Sequence, residues 1–254
     1  MGAGHSHALY VHEHSPIHRM SPEAKLVAAF AMVAAFAVTP RQALWAFGLY
    51  ALLVAGLAYV ARLSPGFVGL RLLAIAPFVL FALFIPFIAG GETTEIGGVS
   101  LSVDGLWGMW NILVKATLGA SVSIILTATT EIPDIIRGLG ALRVPALLTA
   151  IATFMVRYLE LIVDELSRVR VAMAARGYNP RWISQARPIA SAAGALFVRS
   201  YERGERVHAA MLSRGFNGTM PILDHRPADN REWAAVVSVA AAAAVISAFA
   251  LISS

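Results

Sequence analysis

Charged residues are spaced along this chain so that long apolar runs lie between them. Residues 26–40 carry no charge, and Pro22 to Val38 extends that run if Lys25 lays its stem on apolar surface and turns its ammonium to the membrane interface. Residues 42–61 and 72–91 give two further uncharged runs, 105–130 a longer one broken only by Lys115, and 233–254 a last one. A bilayer core takes about 20 residues of helix, with a range of about 17–25, so the pattern predicts five transmembrane helices. Ser21-Pro22-Glu23 reads as a helix start, with a hydroxyl N-cap, proline at the first position and an acid in the first turn. Pro77 and Pro86 predict kinks in the third span. Residues 144–156 are ambiguous: they reach only about 20 Å as a helix. Continuing through Arg157, Glu160, Asp164 and Glu165 would put charges in lipid at about 2.5–3.5 kcal/mol each.

The loops between the runs orient them. Segment 165–215 holds nine Arg against three acids, and loop 62–71 carries Arg62 and Arg71. Loop 92–104 carries Glu92, Glu95 and Asp104 and no cation. Cationic loops stay in the cytoplasm, which sets the N-terminus and 131–232 inside and 92–104 outside. The count closes if 144–163 does not cross. The expected architecture is therefore an all-α integral membrane protein. A cytoplasmic histidine-containing segment occupies 1–21, four transmembrane helices lie in 22–130, and a helical cytoplasmic-side domain, partly sunk in the interface, spans 131–232. A C-terminal transmembrane helix follows at 233–254.

Composition narrows the function classes. Hydrophobic residues make up 58% of the chain before glycine is counted, against about 45–50% with glycine in soluble domains. Charged residues make up 14% against about 25%. A soluble enzyme and a disordered chain are both excluded. The absence of cysteine excludes a disulfide scaffold, a thiolate metal site and a thiol nucleophile. Lys25 and Lys115 are the only lysines, so the net charge of +5 is carried by arginine. Phosphate headgroups and an acidic protein partner fit it better than nucleic acid does. Residues 1–21 lack the apolar core of a secretory signal.

Catalytic signatures are missing. Neither lysine follows a glycine, as a P-loop requires, and His12-Glu13-His14 lacks the histidine four positions on that a zincin helix needs. Gly-x-Ser-x-Gly does not occur. His5, His7, His12 and His14 form the one metal-like set, since short histidine tracts bind cobalt, nickel or zinc. His18 is expected to cap or pack instead. Lys115, Arg157 and Glu160 would line a polar path or, more simply, pair at the interface. Gly119/Ser123 and Ala240/Ala244/Ala248 are small-residue spacings that let another membrane helix approach, although alanine-rich helices offer them by chance.

One stretch repeats. Residues 168–180, Arg-Val-Arg-Val-Ala-Met-Ala-Ala-Arg-Gly-Tyr-Asn-Pro, align with 206–218, Arg-Val-His-Ala-Ala-Met-Leu-Ser-Arg-Gly-Phe-Asn-Gly. Val169, Ala172, Met173 and Arg176 fall on one helix face, and so do Val207, Ala210, Met211 and Arg214. Gly177 and Gly215 stand where a left-handed C-cap belongs. An arginine at a helix C-terminus is ordinarily a dipole complement worth about 0.3–1 kcal/mol. Two copies on matching stripes point further, to paired helix tips whose guanidinium forks meet carboxylates.

These two Arg-Gly signatures, their spacing and the approach Glu131-Ile-Pro-Asp-Ile-Ile-Arg-Gly-Leu139 resemble the transmembrane (T) component of energy-coupling factor (ECF) transporters, a class of ABC importer. Ser15 to Leu26 and Arg157 to Leu166 resemble its cobalt-type branch, CbiQ. In that family each signature reads Ala-Arg-Gly and closes a coupling helix seated on an ATPase. Ala175-Arg176-Gly177 matches fully, and Ser213-Arg214-Gly215 departs at its first position. The resemblance implies a non-catalytic permease scaffold in the bacterial inner membrane, serving cobalt transport and cobalamin biosynthesis. Its partners would be two cytoplasmic CbiO-like ABC ATPases that hold ATP and Mg, a cobalt-binding CbiM-like membrane subunit, and a small CbiN-like accessory subunit. No cofactor is expected in this chain. A nickel or vitamin importer built on the same scaffold, or an unrelated helical channel or membrane enzyme, are the alternative readings.

Overall fold

The computed structural model describes residues 11, 13, 15–90, 93–96, 99–178, 187–218 and 228–253, with 93–96 and 99–101 as backbone only. In chain order its helices are α1 (Pro16–Arg19), α2 (Pro22–Val38), α3 (Leu44–Val60), α4 (Pro65–Leu72), α5 (Ala76–Ile88), α6 (Val103–Thr129), α7 (Ile132–Ala141), α8 (Ala146–Ala175), α9 (Arg187–Ser213) and α10 (Asn230–Ile252). Two compact units emerge. A bundle unit comprises Leu9–Gly138 and Arg226–Ser254, and a second unit is centred on Leu139–His225.

In the bundle unit, α2, α3, α6 and α10 fall within a few residues of the expected spans. At 17 residues, α2 and α3 sit at the short end of what crosses a bilayer. Met32 and Phe36 of α2, Phe47 and Tyr50 of α3, and Val122 and Ile125 of α6 share one buried cluster. In lipid such a cluster is held by close packing rather than by escape from water, and small residues let the backbones approach. Ala46, Ala128, Ala243 and Ala250 serve that purpose, each with almost no exposed surface. The interior of the bundle takes Val236, Ala243 and Ala250 from α10 and leaves Ala244 and Ala248 outward.

Three expectations are corrected. The third span begins at Pro65, not at 72, because Ser64 caps α4 by accepting from Phe67 N–H at 3.3 Å. Arg71 therefore lies in a helix, not a loop, with its guanidinium 3.9 Å from the Phe67 ring centroid. A 3-10 turn at Leu73–Ile75 joins α4 to α5, where the Pro77 ring denies a normal helical hydrogen bond. Ser21 stands at the N-cap of α2 but makes no capping bond there; its hydroxyl donates to Glu232. Lys25 does not turn outward. It is 8% exposed and donates to Thr129 O at 2.8 Å and Thr130 Oγ1 at 3.2 Å, satisfying carbonyl and hydroxyl groups at the C-terminal end of α6. The ambiguous 144–156 forms the start of the 30-residue α8.

The all-α class holds with one small addition. The acidic loop contains an antiparallel hairpin, β1 (Thr93–Ile96) with β2 (Val99–Ser102), whose Thr, Ile and Val favour strand geometry. Among the described residues, four helical stretches are long and apolar enough to cross a membrane: Pro65–Ile88, Val103–Thr129, Ala146–Ala175 and Asn230–Ile252. Together with the apolar α3 they make this a multi-pass membrane protein.

In the bundle unit α6 ends beside the start of α2, and so does the segment that leads into α10. Glu23 of α2 accepts from Ala228 N–H at 2.9 Å, and Glu232 of α10 accepts from Ser21 N–H at 3.3 Å. The chain thus leaves and re-enters the bundle at one end.

Candidate functional site

Both signatures close their helices in the same way. At the end of α8, Tyr178 N–H donates to Met173 O at 3.1 Å and Gly177 N–H to Ala174 O at 3.0 Å. Past the end of α9, Phe216 N–H donates to Met211 O at 3.0 Å and Gly215 N–H to Leu212 O at 3.0 Å. This double bond pattern is a Schellman cap, and it requires a left-handed residue, supplied by Gly177 at φ +74° and Gly215 at φ +82°. The aromatic residue after each glycine folds back towards the methionine it bonds, Tyr178 to Met173 and Phe216 to Met211. Backbone N–H groups thereby satisfy the terminal carbonyls without help from arginine.

Arg176 and Arg214 are exposed, and among the described residues neither enters an ion pair. Ala175 and Ser213, which precede them, are exposed too. Two identical caps thus present two guanidinium groups that their own helices do not consume. The cap is complete without the side chain, so neither arginine is needed as a hydrogen-bond donor at its own helix end.

Within the second unit α8 and α9 run antiparallel and touch over a short region. The contact centres on Glu165, 8% exposed, which receives Arg199 Nη1 at 3.2 Å and Arg203 Nη1 at 3.6 Å. Either side of this crossing opens a groove. One, of about 730 Å³, is lined by Val169, Met173, Arg176 and Tyr178 of the first signature, facing Ala192 and Leu196. The other, of about 340 Å³, is lined by Val207, Met211 and Phe216 of the second signature, facing Phe154, Tyr158 and Ile162. Corresponding residues of the repeat line both grooves. The first is flanked by Arg168 and Arg199, whereas the second is almost wholly apolar.

The sequence profile of the CbiQ family, described as cobalt transport protein, matches residues 13–223. The chain belongs to this family. Its relatives agree in kind. It is 28% identical over 180 residues to a cobalt transport protein CbiQ of Rhodobacter capsulatus, covering 68% of this chain and 72% of that protein. It is 25% identical over 225 residues to the energy-coupling factor transporter transmembrane protein EcfT of Bacillus selenitireducens, covering 82% of each. A fused cobalt transport protein CbiMQ of Methanocorpusculum labreanum matches 82% of this chain and 36% of its own length, at 26% identity. The profile match spans both signatures and the whole of α8 and α9.

Other residues singled out in the sequence fare differently. His18 packs: its Nε2–H donates to Val11 O at 3.1 Å, and its Nδ1 accepts from the Ser15 hydroxyl at 2.7 Å. Lys115 donates to Ala37 O at 2.9 Å, near the C-terminal end of α2, instead of lining a path. Arg157 and Glu160 are exposed on α8. His5, His7, His12 and His14 lie outside the described residues, as do Asn179 and Pro180 of the first signature. Sequence reasoning missed Glu165 as the crossing residue. Its signal was available: Phe154, Tyr158, Ile162, Glu165, Val169 and Ala172 share one helix face, and a lone acid on that face needs a partner.

Proposed function

We propose that this CbiQ-family chain is the transmembrane scaffold of an energy-coupling factor importer for cobalt ions. It has no catalytic centre of its own. Two cytoplasmic ABC ATPases hold ATP and Mg, and Arg176 and Arg214 dock one each. A separate cobalt-binding membrane subunit, with or without a small accessory subunit, carries the ion. The N-terminus and the second unit face the cytoplasm of a bacterial inner membrane. Closure of the ATPases on ATP displaces the two docked helix ends, and α8 and α9, pinned together at Glu165, deliver that displacement as one body.

The observation that carries this reading is the pair of identical Schellman caps that leave two arginines unconsumed. A planar guanidinium can take a carboxylate bidentately, which suits a partner groove lined with acids. The fused CbiMQ relative supports a membrane subunit working beside this kind of chain.

The test is copurification of the ATPases and cobalt uptake with Arg176→Ala, Arg214→Ala and the double variant. Removing one partner of a buried ion pair costs about 3–5 kcal/mol, so each single change should weaken the complex measurably. Lysine should rescue only in part. Wild-type complex and uptake in the double variant would sink the docking role.

A second reading keeps the scaffold and changes the cargo to nickel or a vitamin. It is raised by the EcfT relative, whose name states no cargo. Uptake of radiolabelled cobalt competed by nickel separates the two metal readings; a vitamin importer would take up neither metal.

A further inference from the structure

We propose that residues 21–25 are the joint through which displacement of the second unit enters the bundle, with Glu23 and Gly138 as its positioning residues; the role in transport rests on the scaffold reading above. Besides the boundary before Leu9, the chain connects the two units after Gly138 and before Arg226. Both connections are fastened, on the bundle side, to the first turn of α2.

Gly138 packs onto that turn by backbone. A Cβ at this position would stand 3.0 Å from Glu23 N, 3.0 Å from Pro22 C and 2.9 Å from Leu26 Cδ1, so no larger residue fits unless the turn moves. The returning segment is held by side chains. Glu23, 5% exposed, accepts from Ala228 N–H at 2.9 Å, and Glu232 accepts from both the backbone N–H and the hydroxyl of Ser21. Lys25 completes the set by donating to Thr129 O and Thr130 Oγ1, directly ahead of α7. Outgoing chain, returning chain and the end of α6 therefore meet on five consecutive residues, two of them charged.

Slack linkers would absorb movement of the second unit, because a flexible segment transmits little force. Connections clamped to a close-packed turn pass it on, since packed interiors deform little. The first turn of α2 then turns a push on the second unit into a tilt of α2, and of the α6 and α10 helices packed on it.

The experiment uses the full chain in two arms. In detergent micelles, hydrogen exchange of the Ala228 amide should accelerate by about tenfold or more in Glu23→Ala and stay near wild type in Glu23→Gln, which keeps an acceptor. In the reconstituted importer, Glu23→Ala and Gly138→Ala should keep ATPase binding and ATP hydrolysis while cobalt taken up per ATP falls by about tenfold. Glu23→Gln should retain most uptake. Wild-type exchange at Ala228 in Glu23→Ala, or uptake that falls only as far as assembly does, would overturn the joint. Failure of the unaltered chain to bind ATPases would instead overturn the scaffold reading, and the exchange arm would still decide whether the joint exists.

Discussion

Tyr50 has no exposed surface, and its hydroxyl ties three helices together. It donates to Ala243 O of α10 at 3.2 Å and lies 3.0 Å from Thr39 Oγ1, just past α2, while its ring meets Phe36 edge-on at 4.7 Å. Hydrogen bonds between membrane helices average about 0.6 kcal/mol and reach about 1.7 kcal/mol, because the alternative partners are also within the protein. Tyr50→Phe should therefore cost about 0.6–1.7 kcal/mol in thermal unfolding of the solubilised chain. Tyr50→Ala should cost about 3–5 kcal/mol, as the cavity left by the ring adds to the loss. His18 makes a prediction of opposite character. Burial, the larger effect, pulls its imidazole below the ordinary value, outweighing the hydrogen bond to Val11 that raises it. A group held neutral in the fold contributes stability that is full above about pH 6.5 and is lost as pH falls through the lowered folded value. Unfolding temperature should accordingly drop as the solution is taken from pH 7.5 to 5.5, and His18→Gln should flatten that drop. An unchanged slope would remove His18 from the account.

At the scale of elements, the two caps and the crossing carry the argument. Nothing lies within 4 Å of a Cβ built on Gly177 or Gly215, so alanine there meets no clash and feels only the left-handed backbone, about 1–2 kcal/mol. Gly177→Asn should cost less than Gly177→Ala, because asparagine tolerates that conformation. ATPase copurification should follow the same order. The crossing predicts an asymmetry. Removing Arg199 and Arg203 together strands a carboxylate that is 11% exposed, whereas also removing Glu165 leaves nothing charged behind. Arg199→Ala/Arg203→Ala should thus be less stable than the triple alanine variant in thermal unfolding, by about 1–3 kcal/mol. These features differ in how far the sequence revealed them. The repeat exposed both caps, since a Schellman glycine and its helix face are local and written in consecutive residues. Glu165 with Arg199 and Arg203 was hidden, because the partners are 34 or more positions apart and nothing local pairs them. The start of α4 was misplaced because Arg71 reads as a loop charge until the ring of Phe67 is seen beneath it. Lys25 reads as turning outward because the Thr129 carbonyl that draws it inward belongs to a helix a hundred residues on.

For the whole molecule the open quantity is the number of crossings, and α8 decides it. By length and composition α8 qualifies as a span, although its Arg157, Glu160, Asp164 and Glu165 would each cost about 2.5–3.5 kcal/mol near the bilayer centre. The bundle bears on the question from its own geometry. Its chain leaves after α6 and returns before α10 at the same end, so the intervening residues 139–225 must cross an even number of times or not at all. Nine Arg against three acids in 165–215 favour no crossing, with that segment in the cytoplasm. The chain has no cysteine, so single cysteines can be introduced without removing any. A cysteine at Thr94, in the acidic hairpin, should react with an impermeant maleimide in intact cells. One at Ser184 should react only after permeabilisation. The sharper pair brackets α8: cysteines at Val144 and Ala174 should both stay unlabelled until the cells are opened. Labelling of one and not the other in intact cells would make α8 a true span. It would then need a second crossing within 176–225, where α9 carries Arg199, Glu202, Arg203, Glu205 and Arg206 within eight residues. That charge density is prohibitive in lipid, which is why the same-side result is the one expected.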